Sequence, residues 1–205
     1  RVRAGEDDLL VMAAGPAENT SMLLGQLRLA IAKKESLADP NAFEFLWVTE
    51  FPLLEWHEED KRWYSVNHPF TAPMEEDLPL VETDPGRVRA QAYDVIVNGW
   101  ELGGGSIRIH DTLLQHLVFT KLLGIEEADA RQRFGFFLDA LTYGTPPHGG
   151  IALGIDRLIA LLAGESSIRD AMAFPKTAAA EDLMAGAPSP VDAKQLRDLH
   201  LRAWK

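Results

Sequence analysis

An Asn98-Gly99 dipeptide lies between two apolar runs near the middle of the chain. Both residues tolerate positive φ, which a type I′ turn requires at its two central positions, so the pair is a strong local signal for a β-hairpin. The turn also sets the register, because it places Ile96 opposite Glu101. The sequence therefore predicts an antiparallel hairpin within residues 92–110.

This register brings two acidic side chains onto one face of the sheet. Asp94 lies two residues from Ile96 and diagonally across from Glu101, with the side-chain stems roughly 7 Å apart. Two solvated acids on an open face would give the same pattern, but Mg²⁺ also takes one or two carboxylates plus phosphate oxygens. Three glycines at 103–105 favour a ligand, since glycines inside a strand mark a bulge or a close approach to the backbone.

A basic side chain follows the glycines on the same strand. Ser106, Arg108 and His110 alternate with two isoleucines, so we expect the polar side chains on one face and the isoleucines in the core. A single strand arginine is most often part of a structural ion pair. Next to a glycine run and two acids, Arg108 is instead predicted to bind a carboxylate or a phosphate.

Residues 144–157 form a glycine-punctuated apolar strand that runs into a helix. Asp156 and Arg157 lie in the first turn of that helix, and the glycines, including Gly154, leave the backbone open to a ligand. A planar guanidinium suits phosphate oxygens. A core helix with an ion-paired arginine would explain the shorter string Gly-Ile-Asp-Arg-Leu, but the longer string predicts a polyphosphate site.

Composition limits the class of protein. The 205 residues, with a net charge of −11 and no cysteine, fit one large domain or one domain plus a remnant. The acidic balance is not typical of nucleic-acid-binding domains, so any such contact must be local or made by another part. Disulfides, thiolate metal sites and cysteine nucleophiles are excluded. Apolar runs too short for a bilayer and the lack of a signal peptide predict a cytoplasmic protein with no membrane partner.

Further elements are predicted from apolar patterns and turn residues. The predictions are a buried strand at 9–13, a helix at 21–34 capped by Asn19 or Thr20, a hairpin of 43–48 with 63–66, and helices at 112–123, 126–142 and from Arg157 to Ala163. A chain that opens on Arg1 and soon enters a buried strand is expected to be a fragment of a longer protein.

Five ordered blocks together resemble the C-terminal half of the catalytic domain of bacterial-type aspartyl-tRNA synthetases. The blocks are residues 67–73, 93–110, 134–150, 154–158 and 168–177. The resemblance implies an α+β fold: a class II synthetase antiparallel sheet flanked by helices, at residues 41–205. Residues 1–40 resemble the end of the inserted α+β domain of bacterial members, so a remnant of that domain is expected to precede the sheet.

The resemblance also implies roles for individual residues in ATP binding. Glu101 and Asp94 would hold ATP through Mg²⁺. Gly154, Ile155, Asp156 and Arg157 correspond to the third class-defining motif, with Arg157 on the γ-phosphate.

Aspartate binding is assigned in the same way. Arg108 would pair with the side-chain carboxylate of L-aspartate, so Arg108, Arg157 and Glu101 are the expected catalytic residues. Ser106 would lie near the amino acid, and His68 in a mobile segment beside it. Many bacterial members have two histidines before Pro-Phe-Thr, whereas this chain has Asn67 and then His68.

The implied activity is ATP-dependent formation of aspartyl-adenylate, followed by transfer of aspartate to tRNA(Asp) by a homodimeric full-length enzyme. Because the 205 residues lack anything like the first two class-defining motifs or the anticodon-binding barrel, this chain alone is predicted to be inefficient. Two alternatives stay open at this point: a non-catalytic module that binds ATP or the amino acid, and an ammonia-dependent asparagine synthetase on the same fold.

Overall fold

A computed structural model describes residues 3–39 and 41–202 of the chain. The chain divides into two compact units, residues 1–44 and 45–205. This division falls close to the predicted boundary at residues 40 and 41. That the first unit derives from an inserted domain stays a prediction.

The first unit contains one long helix, α1 (Ala17–Lys34). It begins directly after Pro16, so the prediction that Asn19 or Thr20 caps a later start is wrong. A proline suits this position because it needs no hydrogen-bond partner for a backbone N–H. The predicted strand at 9–13 is also wrong, since these residues are exposed and form no strand. No described segment of this unit forms a strand that could pair with them.

The second unit is built on a four-stranded antiparallel sheet. Its strands, in their order across the sheet, are β1 (Phe45–Thr49), β4 (Ala92–Val97), β5 (Trp100–Ile107) and β6 (Gly149–Leu153). A separate hairpin joins β2 (Leu54–His57) to β3 (Arg62–Ser65). The predicted pairing of 43–48 with 63–66 is therefore wrong, because β1 pairs with β4 instead.

Four α-helices and three short 3-10 helices, at Glu75–Leu80, Pro85–Arg87 and Ile168–Asp170, complete the described part of the second unit. The α-helices are α2 (Thr112–Leu117), which continues as a π-helical turn at Val118–Leu122, α3 (Glu127–Leu141), α4 (Ile155–Ala163) and α5 (Ala193–Asp198). Asp111 caps α2 through a 2.7 Å bond from the Leu114 N–H, as predicted. Gly164, at φ 72°, ends α4 in the left-handed conformation that favours glycine. The predicted α+β sheet flanked by helices is confirmed.

The register near the Asn98-Gly99 turn is as predicted, with Ile96 opposite Glu101. One step further, Val95 pairs with Gly103, so Leu102 has no paired residue on β4 and forms a β-bulge. The bulge places Asp94 directly opposite Gly104. Both carboxylates stay on one side of the hairpin, where they line a common cavity.

The core of the second unit lies between the sheet and helices α2 and α3. Its most deeply buried apolar side chains include Phe119, Ile109, Val118 and Val88. Phe70 packs on Phe119 with ring centroids 5.5 Å apart, and on Phe137 with centroids 4.4 Å apart. This packing anchors residues 67–73 beside the sheet. Among the described helices, none combines the length and apolar character needed to cross a bilayer.

Candidate active site

Two adjoining cavities open on either side of Arg108. The larger, of about 470 Å³, also contacts Phe70, Phe137 and His148. The smaller, of about 310 Å³, also contacts Asn67, Asp94, Glu101 and Ser106. Their shared walls are His68, Gly104, Gly105, Arg108 and Ala152. Six of the predicted ligand-binding residues thus line these two cavities: Asn67, His68, Asp94, Glu101, Ser106 and Arg108.

Arg108 lies just beyond the end of β5, where its backbone N–H donates to the His148 carbonyl at 2.9 Å. A bridge to Thr71 holds it from the other side. Its Nη1 atom is buried and has no hydrogen-bond partner among the described residues. A buried cationic nitrogen without a partner is unfavourable. A carboxylate or phosphate in the cavity would satisfy it.

Ser106 is buried beside this arginine. Its exposed fraction is 4%, and the Thr71 hydroxyl donates to Ser106 Oγ at 3.4 Å. The hydroxyl of Ser106 is therefore already held by the protein at one edge of the cavity. Sequence reasoning missed Thr71 as a neighbour of this site, although it belongs to the Pro-Phe-Thr block that also carries His68.

His68 faces the cavity with one ring nitrogen already in use. The Phe70 N–H donates to its Nδ1 at 3.3 Å, and the two rings lie 4.9 Å apart. Burial, and then the positive charge of Arg108, lower the pKa of His68. The neutral imidazole is thus favoured. Exposed Asn67 precedes it and lines the smaller cavity, where its amide can exchange hydrogen bonds with a polar ligand.

Asp94 and Glu101 are close enough to influence each other. Burial, and then the negative charge of Glu101, raise the pKa of Asp94. A cation between the two carboxylates would relieve this repulsion. No group of three or more histidine and acidic side chains in the described residues is arranged to hold a metal. That the pair holds Mg²⁺, with phosphate oxygens or water completing the coordination, stays a prediction.

Arg157 reaches the same surface from α4. Its Nη1 donates to the Glu101 carbonyl at 2.6 Å and lies 3.8 Å from Glu101 Oε1. The helix is docked on β5 through Gly154, whose N–H donates to the Leu102 carbonyl at 2.7 Å. Ile155 and Asp156 are exposed in the first turn. Arg157 and Glu101 are thus neighbours, and their contact with ATP stays a prediction.

Steric contacts with neighbouring strands explain why β5 has glycine at positions 103, 104 and 105, and the sequence alone did not predict these contacts. A Cβ at Gly104 would collide with Asp94 Oδ1, and a Cβ at Gly105 would collide with the Gly150 carbonyl of β6. A Cβ at Gly103 would collide with Ala152 and Leu153, which also belong to β6. The groups that approach the backbone of these glycines closely are therefore side-chain and backbone atoms of the neighbouring strands β4 and β6. Sequence reasoning also missed His148 and Phe137, which come from distant elements.

Comparison with known proteins gives the following similarities. Residues 18–178 match the family described as tRNA synthetases class II (D, K and N). The chain is 59% identical over 199 residues to an aspartate–tRNA(Asp/Asn) ligase of Geotalea uraniireducens, covering 97% of this chain and 33% of that protein. It is 54% identical over 205 residues to an aspartate–tRNA ligase of Ruminiclostridium cellulolyticum, covering 100% of this chain and 34% of that protein.

The fold has a counterpart among solved structures. An aspartyl tRNA synthetase from Entamoeba histolytica superposes with a TM-score of 0.50 at 21% identity, covering 84% of this chain and 29% of that chain. At this identity the likeness concerns the fold alone. The chain spans about a third of the length of the curated relatives it matches.

Proposed function

The chain belongs to the class II tRNA synthetase family (D, K and N), and we propose that it supplies the amino-acid-binding part of an aspartate–tRNA ligase. Its curated relatives are about three times as long. We therefore assign the complete reaction to a protein that contains this chain together with the regions that make up the remaining two thirds of those relatives.

The Nη1 atom of Arg108 supports the proposal, because it is buried at the junction of the two cavities and has no hydrogen-bond partner among residues 3–39 and 41–202. A guanidinium presents paired donors that match a carboxylate, so the side chain of L-aspartate suits it. Asparagine would leave this buried charge unmatched, which gives the site a physical basis for rejecting it. Ser106, His68 and Asn67 would surround the bound amino acid.

ATP is assigned to the surface formed by Glu101, Asp94 and Arg157. Mg²⁺ held by the two carboxylates would neutralise charge on the phosphates. Arg157 would bind the γ-phosphate, with Gly154, Ile155 and Asp156 shaping the start of its helix. The contact between Arg157 and the Glu101 carbonyl keeps the guanidinium beside this surface.

The reaction needs no covalent intermediate on the protein. An oxygen of the aspartate α-carboxylate attacks the α-phosphorus of ATP, and pyrophosphate leaves. A ribose hydroxyl of tRNA(Asp) then attacks the carbonyl carbon of aspartyl-adenylate, and AMP leaves. The residues of this chain act by positioning the substrates and by stabilising charge. We further propose that the whole protein is a cytoplasmic homodimer.

Aspartate-dependent exchange of pyrophosphate into ATP tests this proposal. The assay compares the chain alone with a chimera in which it replaces the matching third of the Geotalea uraniireducens ligase; that ligase without the segment is the control. We expect exchange in the chimera and little or none in the two parts. ATP binding without exchange in the chimera would favour the non-catalytic module. Formation of asparagine from aspartate and ammonia would favour the asparagine synthetase.

A further inference from the structure

Residues 67–73 place His68 at the wall of both cavities. Most of this segment forms hydrogen bonds with the surrounding protein. The Ala72 N–H donates to the Ile107 carbonyl at 2.9 Å, and the Ile109 N–H donates to the Phe70 carbonyl at 2.8 Å. On the opposite side, the Gln91 N–H donates to the Ala72 carbonyl at 2.8 Å. The far end of the segment is therefore part of the sheet framework.

The near end of the segment is held by a side chain from α2. Gln115 is fully buried, and its Nε2 donates to the Pro69 carbonyl at 3.0 Å. Pro69 directly follows His68 in the chain. The contact joins residues that are 46 positions apart, so it forms only when α2 packs under the segment.

Gln115 also carries an unfavourable feature. Its Oε1 atom is buried and has no hydrogen-bond partner within the described part of the chain. An unpaired buried amide oxygen lowers stability, whereas an apolar side chain of the same length would avoid this cost. Core packing alone does not account for a glutamine here. Its bond to the Pro69 carbonyl gives the side chain a different purpose.

We propose that Gln115 is a positioning residue for aspartate binding. Gln115 fixes the position of the Pro69 carbonyl. It thereby fixes the position of the two residues just before Pro69, Asn67 and His68, which form part of the cavity wall. The Phe70 N–H bond to His68 Nδ1 then orients the imidazole from the same fixed point. The inference rests on the proposed function for the identity of the ligand, but the positioning itself does not.

Gln91 provides a matched control within the same segment. Its Nε2 donates to the Pro73 carbonyl at 2.8 Å, so it makes the same kind of bond to the same kind of residue. The bond lies four residues further from the cavity, beyond the part of the segment that pairs with Ile107 and Ile109. Gln115→Met and Gln91→Met each remove one donor and keep the length of the side chain.

Amide hydrogen exchange in the 205-residue chain tests the positioning directly. In Gln115→Met, the Phe70 and Thr71 amides should exchange about tenfold faster, because local opening becomes easier by about 1.4 kcal/mol. In Gln91→Met, these two amides should exchange at the wild-type rate. Gln115→Leu is a second variant that removes the donor with a shorter apolar side chain. Unchanged exchange in both Gln115 variants would overturn the proposal.

Kinetics of the chimera test the consequence for the ligand. Gln115→Met should raise the KM for aspartate about tenfold while the KM for ATP changes less than about twofold, because only the amino-acid wall is displaced. Gln91→Met should change neither. Equal increases in both constants, or equal effects of the two variants, would indicate general loosening and overturn the inference. An inactive wild-type chimera would contradict the proposed function, while faster exchange in Gln115→Met would still support the positioning.

Discussion

Asp94 and Gly104 lie directly opposite each other on β4 and β5, and the carboxylate occupies the space where a side chain at 104 would be. The bulge at Leu102 produces this pairing. As a result, Asp94 lies over the strand, where burial and then the negative charge of Glu101 raise its pKa. The lack of a side chain at Gly104 thus determines the position of the Asp94 carboxylate, one of the two proposed magnesium ligands.

Gly104→Ala should displace the Asp94 carboxylate without breaking the sheet, since the colliding group is a side chain that can rotate away. We expect the Mg²⁺-dependent binding of ATP to the chimera to weaken by about tenfold to a hundredfold, because a contact to a charged group is worth about 1.5–3 kcal/mol. Titration calorimetry with and without Mg²⁺ measures this. Gly135→Ala in α3 is the control, because a Cβ there would have no described atom within 4 Å apart from its chain neighbours and its own helix backbone. Unchanged binding would separate Asp94 from the metal.

Gly105→Ala should act differently, although the two glycines are adjacent. Its Cβ would collide with the backbone carbonyl of Gly150 in β6, which cannot move aside without loss of strand pairing. We expect a loss of about 1–3 kcal/mol in the free energy of unfolding, as for other overpacked sites. Urea unfolding of the chain measures it. If Gly105→Ala lowers the free energy of unfolding no more than Gly104→Ala does, the carbonyl of Gly150 is not fixed by the pairing of β5 with β6.

Asp77 should contribute stability that depends on pH. Hydrogen bonds from the Arg89 side chain, and then from its backbone N–H, lower the pKa of Asp77 from 3.8 to about 2. A group with a lowered pKa in the folded state stabilises fully above its unfolded value and loses this effect as the pH falls toward the folded value. Asp77→Asn should therefore destabilise the chain at neutral pH, with the difference from wild type shrinking between about pH 4 and 2.

Urea midpoints measured over this pH range give the test. The exposed pair of Glu58 and Lys61, 2.6 Å apart, provides a control because surface ion pairs contribute little. Glu58→Gln should leave the midpoint nearly unchanged at every pH. A difference for Asp77→Asn that stays constant as the pH falls would refute the assigned pKa.

Arg157→Ala should weaken ATP binding and leave aspartate nearly unaffected. We expect the KM for ATP in the chimera to rise about tenfold, as expected for the loss of a hydrogen bond to a charged phosphate. Arg133→Ala is the matched control, because Arg133 is also exposed and ion-paired, to Asp129 at 2.8 Å. An unaltered KM for ATP would remove Arg157 from the phosphate site and leave it a structural link to Glu101.

Local chemistry in the sequence predicted the features that depend on neighbouring residues. The Asn98-Gly99 turn predicted the pairing of Ile96 with Glu101, and Asp111 was recognised as a helix cap. The clustering of Arg108 with the two acids also followed, because all three belong to one hairpin or its extension.

Features that depend on distant segments were not predictable in this way. The pairing of β1 with β4 joins segments about fifty residues apart, and no turn chemistry links them. The contacts of Thr71 with Ser106 and of Gln115 with Pro69 likewise exist only after the chain folds back. The glycine run was correctly linked to a close approach, but its protein partners lie on β4 and β6.

The recognition of aspartate by Arg108 is tested most directly by the amino-acid specificity of ATP–pyrophosphate exchange, measured for the chimera and for its Arg108→Lys variant. The family includes enzymes for D, K and N, so aspartate, lysine and asparagine are compared. We predict exchange with aspartate that exceeds exchange with asparagine by at least about a hundredfold in kcat/KM, since an unmatched buried charge strongly disfavours binding. Arg108→Lys should lose most of this preference while keeping its KM for ATP, because lysine lacks the paired donors. Equal exchange with asparagine or lysine, or an unchanged preference in Arg108→Lys, would contradict the proposed role of Arg108 in aspartate recognition.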